Sequence, residues 1–302
     1  GNSPDNTSEV VQDFVDKYPQ IKYIREGINS GVDRDYDKAV QHASGDYCWL
    51  MTDDDLLVPG AISRVYAELD GLINLIVVNS EVRNADFSEV LTASRLKLVN
   101  DKSYGLGDQE EFFCEVADCL SFIGGVIIKR DIWISRDRAS FYGTLFVHVG
   151  VIFQSPSVVD ILVIADPLIV IRYGNAMWSS RGFEIWMFKW PELIWSFKDF
   201  SDNSKRAVCR LQPWKSYKSL IFFKGIGGYS ITEFNKYLKS NVKEFSYFIL
   251  LFIAIVPAWL VNAAASAYCL FFKRNARLAV YELSRGRNST LISRAVAKIL
   301  GV

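Results

Sequence analysis

Asp53, Asp54 and Asp55 stand in a row at the end of an aromatic and apolar stretch, within DYCWLMTDDDLLVPG (residues 46–60). Adjacent carboxylates repel one another, and a buried one is costly unless it is paired, hydrogen-bonded or bound to a cation. The chemistry open to such a triplet is coordination of a hard divalent cation, which prefers oxygen ligands. The other reading is a solvated acidic turn ahead of a helix, where the helix dipole favours Asp. Other chemistry-bearing types are thinly spread. Two histidines, His42 and His148, exclude a His-rich metal site. The five cysteines (Cys48, Cys114, Cys119, Cys209, Cys269) have neither metal-ligand spacing nor a disulfide framework, and a reducing compartment is the simpler reading.

The segments that must position the triplet read as α/β. GNSPDNTSEVVQDFVDKYP opens on turn residues and enters a helix, with Asp5 or Asn6 as its cap and Val10, Val11, Phe14 and Val15 as its apolar stripe. A fold entered at a turn is expected to lack the strand before it. IKYIREG reads as a short strand, and NSGVDRDYDKAVQHASG as a loop feeding a helix near residues 33–43. DYCWLMT has no polar alternation after Cys48, the pattern of a strand covered on both faces. PGAISRVYAELDG is an amphipathic helix and INLIVVNSEVR another buried strand. Strands and helices in alternation predict an open sheet with helices on both faces. Ligands of such sheets bind beyond the carboxyl ends of the strands, where the triplet sits, and this favours the binding reading. Farther on, SFIGGVIIKRDIW predicts a strand and a helix start, FYGTLFVHVGVIFQ a helix, and VVDILVIADPLIVIRYG two strands around Asp166-Pro167.

Half of the 302 residues are hydrophobic and 14% are aromatic, which excludes wholesale disorder. The formal net charge is zero, but residues 1–60 carry 12 acids against 5 bases, and residues 273–302 carry 7 bases against 1 acid. Between them, residues 245–272 form 28 positions without Asp, Glu, Lys, Arg or His. An apolar run followed by a basic tail points to an anionic membrane surface, and no nucleic-acid motif accompanies it. As one helix the run would span about 42 Å, but Pro257 and Asn262 interrupt it. Lys236, Lys239 and Lys243 precede it and Lys273, Arg274 and Arg277 follow. The positive-inside rule keeps both flanks on the cytoplasmic side, so the expectation is a re-entrant or in-plane hairpin bent at Pro257. A simple transmembrane helix and a buried core helix are the alternatives.

Taken together, the DNTS turn and NSGVDRDYDKAVQHASGDYCWLMTDDDLLVPGAI resemble family-2 glycosyltransferases of the GT-A fold, over roughly residues 3–175. The order of motifs is most similar to bacterial transferases that build surface polysaccharides on lipid carriers, such as abequosyltransferase-like enzymes. Two departures stand out. The family's opening strands, which contact the nucleotide base and ribose, have no counterpart here. Its Asp-x-Asp metal motif begins at Thr52, with the acids following at 53, 54 and 55.

The resemblance implies a GT-A-like mixed sheet over residues 1–200, then a basic helical linker (201–244), an apolar membrane-associated segment (245–272) and a basic tail (273–302). It implies transfer of a sugar, with inversion, from a nucleotide-diphosphate donor to a lipid-linked saccharide acceptor, in O-antigen-like polysaccharide synthesis. The place of action is the cytoplasmic face of the bacterial inner membrane. The alternative is a non-catalytic membrane-bound remnant or partner protein that keeps the sheet. Mg²⁺ or Mn²⁺ would neutralise the leaving diphosphate. By match to the motif, Asp54 is the metal ligand, Asp53 faces ribose or diphosphate, and Asp55 assists or meets the sugar. Asn29, Gly31 and Arg34 lie on the loop that approaches diphosphate or sugar. Asn29 and Gly31 also suit an ordinary turn, and Arg34 a helical pair with Asp35 or Asp37. Arg172 and Trp178 are donor-binding candidates, an arginine for phosphate and an indole face for a sugar ring. Where the family places an Asp as general base, GTLFVHVGV offers His148, whose imidazole suits the task unless it is a half-buried packing residue. Trp186, Trp190 and Trp195 have helical spacing and read as packing.

Overall fold

The computed structural model describes residues 1–174 and 181–302; Trp178 and Asn175 lie outside them. Helices α1 (Thr7–Lys17) and α2 (Val32–His42) come first, then strands β1 (Tyr47–Trp49) and β2 (Leu56–Leu57) on either side of the acidic turn. Helix α3 (Ala61–Tyr66), β3 (Leu75–Arg83), β4 (Val90–Thr92), β5 (Lys102–Tyr104) and α4 (Gln109–Val116) follow. Strand β6 (Val126–Lys129), α5 (Arg130–Ser135), α6 (Val147–Phe153) and β7 (Ile161–Arg172) complete the sheet region. The strands form one mixed sheet in the order β1-β6-β3-β7-β2, with β4 added to β3 and β5 to β7. Only β3 and β7 run parallel; they are the central pair, and every other pairing is antiparallel.

Side chains alternate across a strand, so each strand feeds two cores. Leu75, Val77, Val126, Ile128, Ile161 and Val163 pack on one face with Phe112, Phe113, Trp133, Val149 and Phe153 of the helices. Ile76, Val78, Ile127, Leu162 and Ile164 pack on the other with Ala61 and Val65 of α3. Helices cover both faces, as the unbroken apolar strand sequences require. This mixed α/β architecture with flanking helices fits a GT-A-like fold.

Several expectations are corrected. Residues 21–27 form no strand, because a strand needs a neighbouring ladder and none of the strands among the described residues pairs with them. Strand β1 is likewise an edge, half-buried on alternate residues and paired only with β6. The stripe of α1 is only partly covered: Val11 and Val15 are half-buried, whereas Val10 and Phe14 are 47% and 52% exposed. The two strands expected around Asp166-Pro167 are one strand, β7, whose register against β3 jumps from Val78↔Ile164 to Asn79↔Pro167. Pro167 has no N–H for the ladder. The buried Asn79 side chain fills the gap, donating to the Ala165 carbonyl at 2.6 Å and accepting from the Leu96 N–H at 2.9 Å.

Beyond β7 the chain is helical: α7 (Gly182–Glu184), a π-helical turn, α8 (Trp190–Ser196), α9 (Asp202–Val208), α10 (Tyr217–Ile226) and α11 (Ile231–Glu233). Then come α12 (Glu244–Ile255), α13 (Ala258–Phe272), α14 (Arg277–Arg285) and α15 (Leu291–Ile299). Trp190 is buried in the sheet-side core, with Trp186 and Trp195 packed against it, so the three indoles are packing residues as their spacing suggested. Pro257 breaks the apolar run as its missing N–H dictates. Among the described residues no single helix is long and apolar enough to cross a membrane, and α12 and α13 meet at a 93° bend. Asn262, expected as a second interruption, does not break α13. It is fully buried, donating to the Leu283 carbonyl at 2.8 Å and accepting from the Thr290 hydroxyl at 2.9 Å, which welds α13 to α14 and α15.

Candidate active site

The acidic turn leaves β1 and returns as β2 against the end of β7. Asp55 makes that closure: its Oδ1 accepts the Arg172 backbone N–H at 2.9 Å, and its Oδ2 accepts the Thr52 hydroxyl. Both of its oxygens are therefore engaged within the protein, which suits a positioning group better than the sugar contact expected for it. Asp54 is half-buried and Asp53 is exposed. Burial and the neighbouring Asp53 hold the Asp54 carboxyl above its usual range; burial does the same to Asp55. Arg172 is the compensating cation for Asp54, with its guanidinium lying 4.8 Å from the Phe87 ring. Its Nε is enclosed without a hydrogen-bond partner among the described residues. Tyr36 of α2 closes the side of the turn, its hydroxyl 3.4 Å from the Met51 carbonyl; burial, and then all three aspartates, push its phenol upward.

Sequence reasoning passed over the two buried acids of α2. Asp33 accepts the backbone N–H groups of Gly143, Leu145 and Val147 at 2.8, 2.9 and 3.0 Å. It thereby caps α6 from another helix, since the α6 N-cap Phe146 has no side chain able to do so. Asp37 accepts from the Trp133 indole at 2.9 Å and from the Tyr142 hydroxyl. Arg138 Nε lies 2.9 Å from Asp37 Oδ1, near enough for an ion pair although its N–H is not aligned for a hydrogen bond. The signal was present: 33 and 37 share one face of α2 with Val40, which is buried.

These contacts decide the loop candidates. Asn29 Oδ1 accepts the Gly31 N–H at 2.9 Å, an Asx-type turn, and Gly31 has φ +89°, the left-handed backbone that suits glycine. Arg34 pairs with neither Asp35 nor Asp37; it is exposed, and its guanidinium stacks 4.7 Å from the Tyr142 ring. His148 is sealed in the core. It is 2% exposed, its Nε2 donates to the Leu120 carbonyl at 2.7 Å, and its Nδ1 is enclosed without a partner. Burial pushes its pKa down to about 4. A ring with one nitrogen committed and the other sealed off cannot receive an acceptor's proton, so the expectation of His148 as base is corrected to a positioning role.

A hard cation needs several oxygen ligands. Among the described residues no group of three or more His, Cys, Asp or Glu side chains converges on one point. Asp54, half-buried with the exposed Asp53 beside it, is the carboxylate of the turn that could hold a cation whose remaining ligands came from phosphate oxygens.

The strand-end acidic turn is thus backed by Tyr36 of α2 and faced by Arg172 at the end of β7. Residues 1–126 match the model of Glycosyl transferase family 2, and over that stretch the chain is similar to a family-2 glycosyltransferase domain. The match takes in the 29–31 loop and the acidic triplet and stops at the start of β6, before Arg172. Abequosyltransferase RfbV of Salmonella typhimurium (strain LT2) is 28% identical over 193 residues, 60% of this chain and 57% of the relative. The chain is abequosyltransferase-like and spans a little over half the length of that relative.

Proposed function

We propose that the protein transfers a sugar, with inversion, from a nucleotide-diphosphate donor to a lipid-linked saccharide acceptor in polysaccharide synthesis. The observation that carries this is the acidic turn, where Asp53 and Asp54 crowd negative charge beside Arg172. Such charge is stabilised by a divalent cation with a diphosphate on its far side. In this reading Asp54 is the metal ligand and Asp53 faces the ribose or diphosphate. Arg172 supplies positive charge beside the diphosphate. Asp55 holds the turn against β7, and the Asn29–Gly31 turn and Arg34 border the donor. Mg²⁺ or Mn²⁺, when bound, neutralises charge on the leaving diphosphate.

The lipid link and the place of action rest on α12 and α13. Phe248, Phe252 and Ile255 are 67%, 63% and 61% exposed, and Trp259, Phe271 and Phe272 are 60%, 68% and 72% exposed. So many large apolar side chains on two adjoining helices mark a docking face. Lys239, Lys243, Lys273 and Arg274 are exposed at its two ends. An in-plane seat on the cytoplasmic leaflet matches that pattern.

The test is calorimetric binding of UDP, GDP and CDP with and without Mn²⁺. The unsubstituted chain should bind one of them in a Mn²⁺-dependent way, and Asp54→Ala should lose that dependence. Equal Mn²⁺-dependent affinity in the variant would overturn the assignment.

A further inference from the structure

The loop between β3 and β4 sets Phe87 in a left-handed conformation, with φ +64°. Glycine or asparagine takes such a place in a short hairpin loop at little cost, whereas a bulky aromatic is strained there. The loop closes without help from the ring. Asn84 Oδ1 accepts the Glu89 N–H at 3.1 Å, the Asn84 carbonyl accepts the Phe87 N–H at 3.0 Å, and Asp86 Oδ1 accepts the Ser88 N–H at 3.0 Å. Nor does a core hold it: among the described residues Phe87 joins none of the apolar clusters, including the neighbouring one around Val82, Leu91 and Tyr281. Its ring meets a guanidinium instead, that of Arg172, 4.8 Å from the ring centre. A strained residue whose side chain is given to one charged partner points to a use for that contact.

Arg172 and Arg83 stand opposite each other in the parallel register of β7 and β3, and their side chains are used differently. Arg83 Nε donates to the Glu81 carboxylate, and its Nη1 to the Phe87 carbonyl at 3.1 Å. Its charge is compensated, and its fork holds the loop that carries Phe87. The backbone around Arg172 is fixed as well. The Arg172 N–H goes to Asp55 at 2.9 Å, and the Tyr173 N–H to the Arg83 carbonyl at 2.8 Å. These bonds leave the long Arg172 side chain unrestrained, and the Phe87 face is what meets it.

The kind of restraint matters. A carboxylate clamp would order an arginine and cancel its charge together. An aromatic face orders it through the ring quadrupole and leaves both the charge and the N–H donors for a ligand. That charge already acts on the acidic turn, where it opposes the raised pKa of Asp54. We infer that Phe87 is a positioning residue of the donor site: it holds the Arg172 guanidinium beside Asp54, ordered in advance for a diphosphate. The inference rests on the transferase reading above and adds the group that orders its cation.

The experiment has two readouts on the full chain. Relaxation NMR gives the order parameter of Arg172 Nε without any ligand, and calorimetry gives the affinity for UDP, GDP and CDP in Mn²⁺. Phe87→Gly suits the left-handed backbone and should leave the far-UV circular dichroism unchanged. It should lower the Nε order parameter below about 0.6, the range of flexible groups, and weaken Mn²⁺-dependent nucleotide binding about 5-fold. Phe87→Leu, apolar but without a ring, should do the same, whereas Phe87→Tyr should retain both readouts. In an Arg172→Ala background Phe87→Gly should cost nothing further, because the ring then has no cation to order. An unchanged order parameter or full affinity in Phe87→Gly, or an equal loss in the Arg172→Ala background, overturns the inference. If the unsubstituted chain binds none of the three nucleotides, the donor reading falls and the diphosphate role of Phe87 with it. The Nε readout separates that failure from a failure of the ring to order Arg172.

Discussion

Replacing Asp33 by Ala tests the frame behind the site. The carboxylate is 4% exposed and accepts three backbone N–H groups, from Gly143, Leu145 and Val147. Alanine leaves all three without an acceptor at the mouth of α6. An orphaned buried donor costs about 1–3 kcal/mol, and water entering the vacated space recovers part of it, so the loss is about 3–5 kcal/mol. At about 2.1 cal/mol/K per residue, a chain of 302 residues unfolds with an entropy near 0.6 kcal/mol/K, so Tm should fall by about 5–8 °C. Asp33→Asn keeps one acceptor oxygen but turns an NH₂ toward backbone donors, and should lose about 1–3 kcal/mol. Differential scanning calorimetry measures the shift, and hydrogen exchange reads protection at the amides of 143, 145 and 147. A Tm within about 2 °C of the unsubstituted chain, with those amides as protected as before, would refute the trans-capping argument.

The carboxyl of Asp54 has a pKa raised above 3.8, so its burial is tolerated while it is protonated and becomes destabilising as pH rises through the folded value. Asp54→Asn should therefore raise Tm at pH 7, with the gain vanishing below about pH 4, and Mn²⁺ with nucleotide should raise Tm only where Asp54 is present. His148 has the opposite sign. Its pKa is lowered from 6.5 to about 4, so its stabilising contribution is intact above pH 6.5 and lost as pH falls toward 4. His148→Gln should flatten the decline of Tm between those values, and an unchanged slope would show the ring to be accessible. The triple variant Phe252→Ser, Trp259→Ser, Phe271→Ser should cease to sediment with anionic liposomes while keeping its far-UV circular dichroism. Binding of the unsubstituted chain that is indifferent to salt and to anionic lipid would argue against the basic rim.

What the sequence determined by itself is what depends on local chemistry and period. The unbroken apolar runs at 75–78 and 126–128 announced strands buried on both faces, because a strand covered twice has no polar side to show. Pro257 announced the bend between α12 and α13, since a missing N–H acts wherever the residue falls. The acidic triplet was legible as the turn that ends a strand, since adjacent carboxylates after an apolar run must leave the core.

Tertiary structure alone decided which of these groups are free. Asp55 looks like its neighbours in the sequence, but the Arg172 N–H of β7 engages one of its oxygens and the Thr52 hydroxyl the other. His148 has a suitable pKa as a free imidazole, and only packing under the 118–121 turn removes its proton chemistry. Asp33 and Asp37 read as helix-surface acids until the loop more than a hundred residues away closes over them. Asn262 reads as a helix interruption until α14 and α15 surround it. A hydrogen-bond partner distant in the chain leaves no mark on the residue that meets it, so only the folded structure shows which polar groups are consumed in holding it and which remain to bind a ligand.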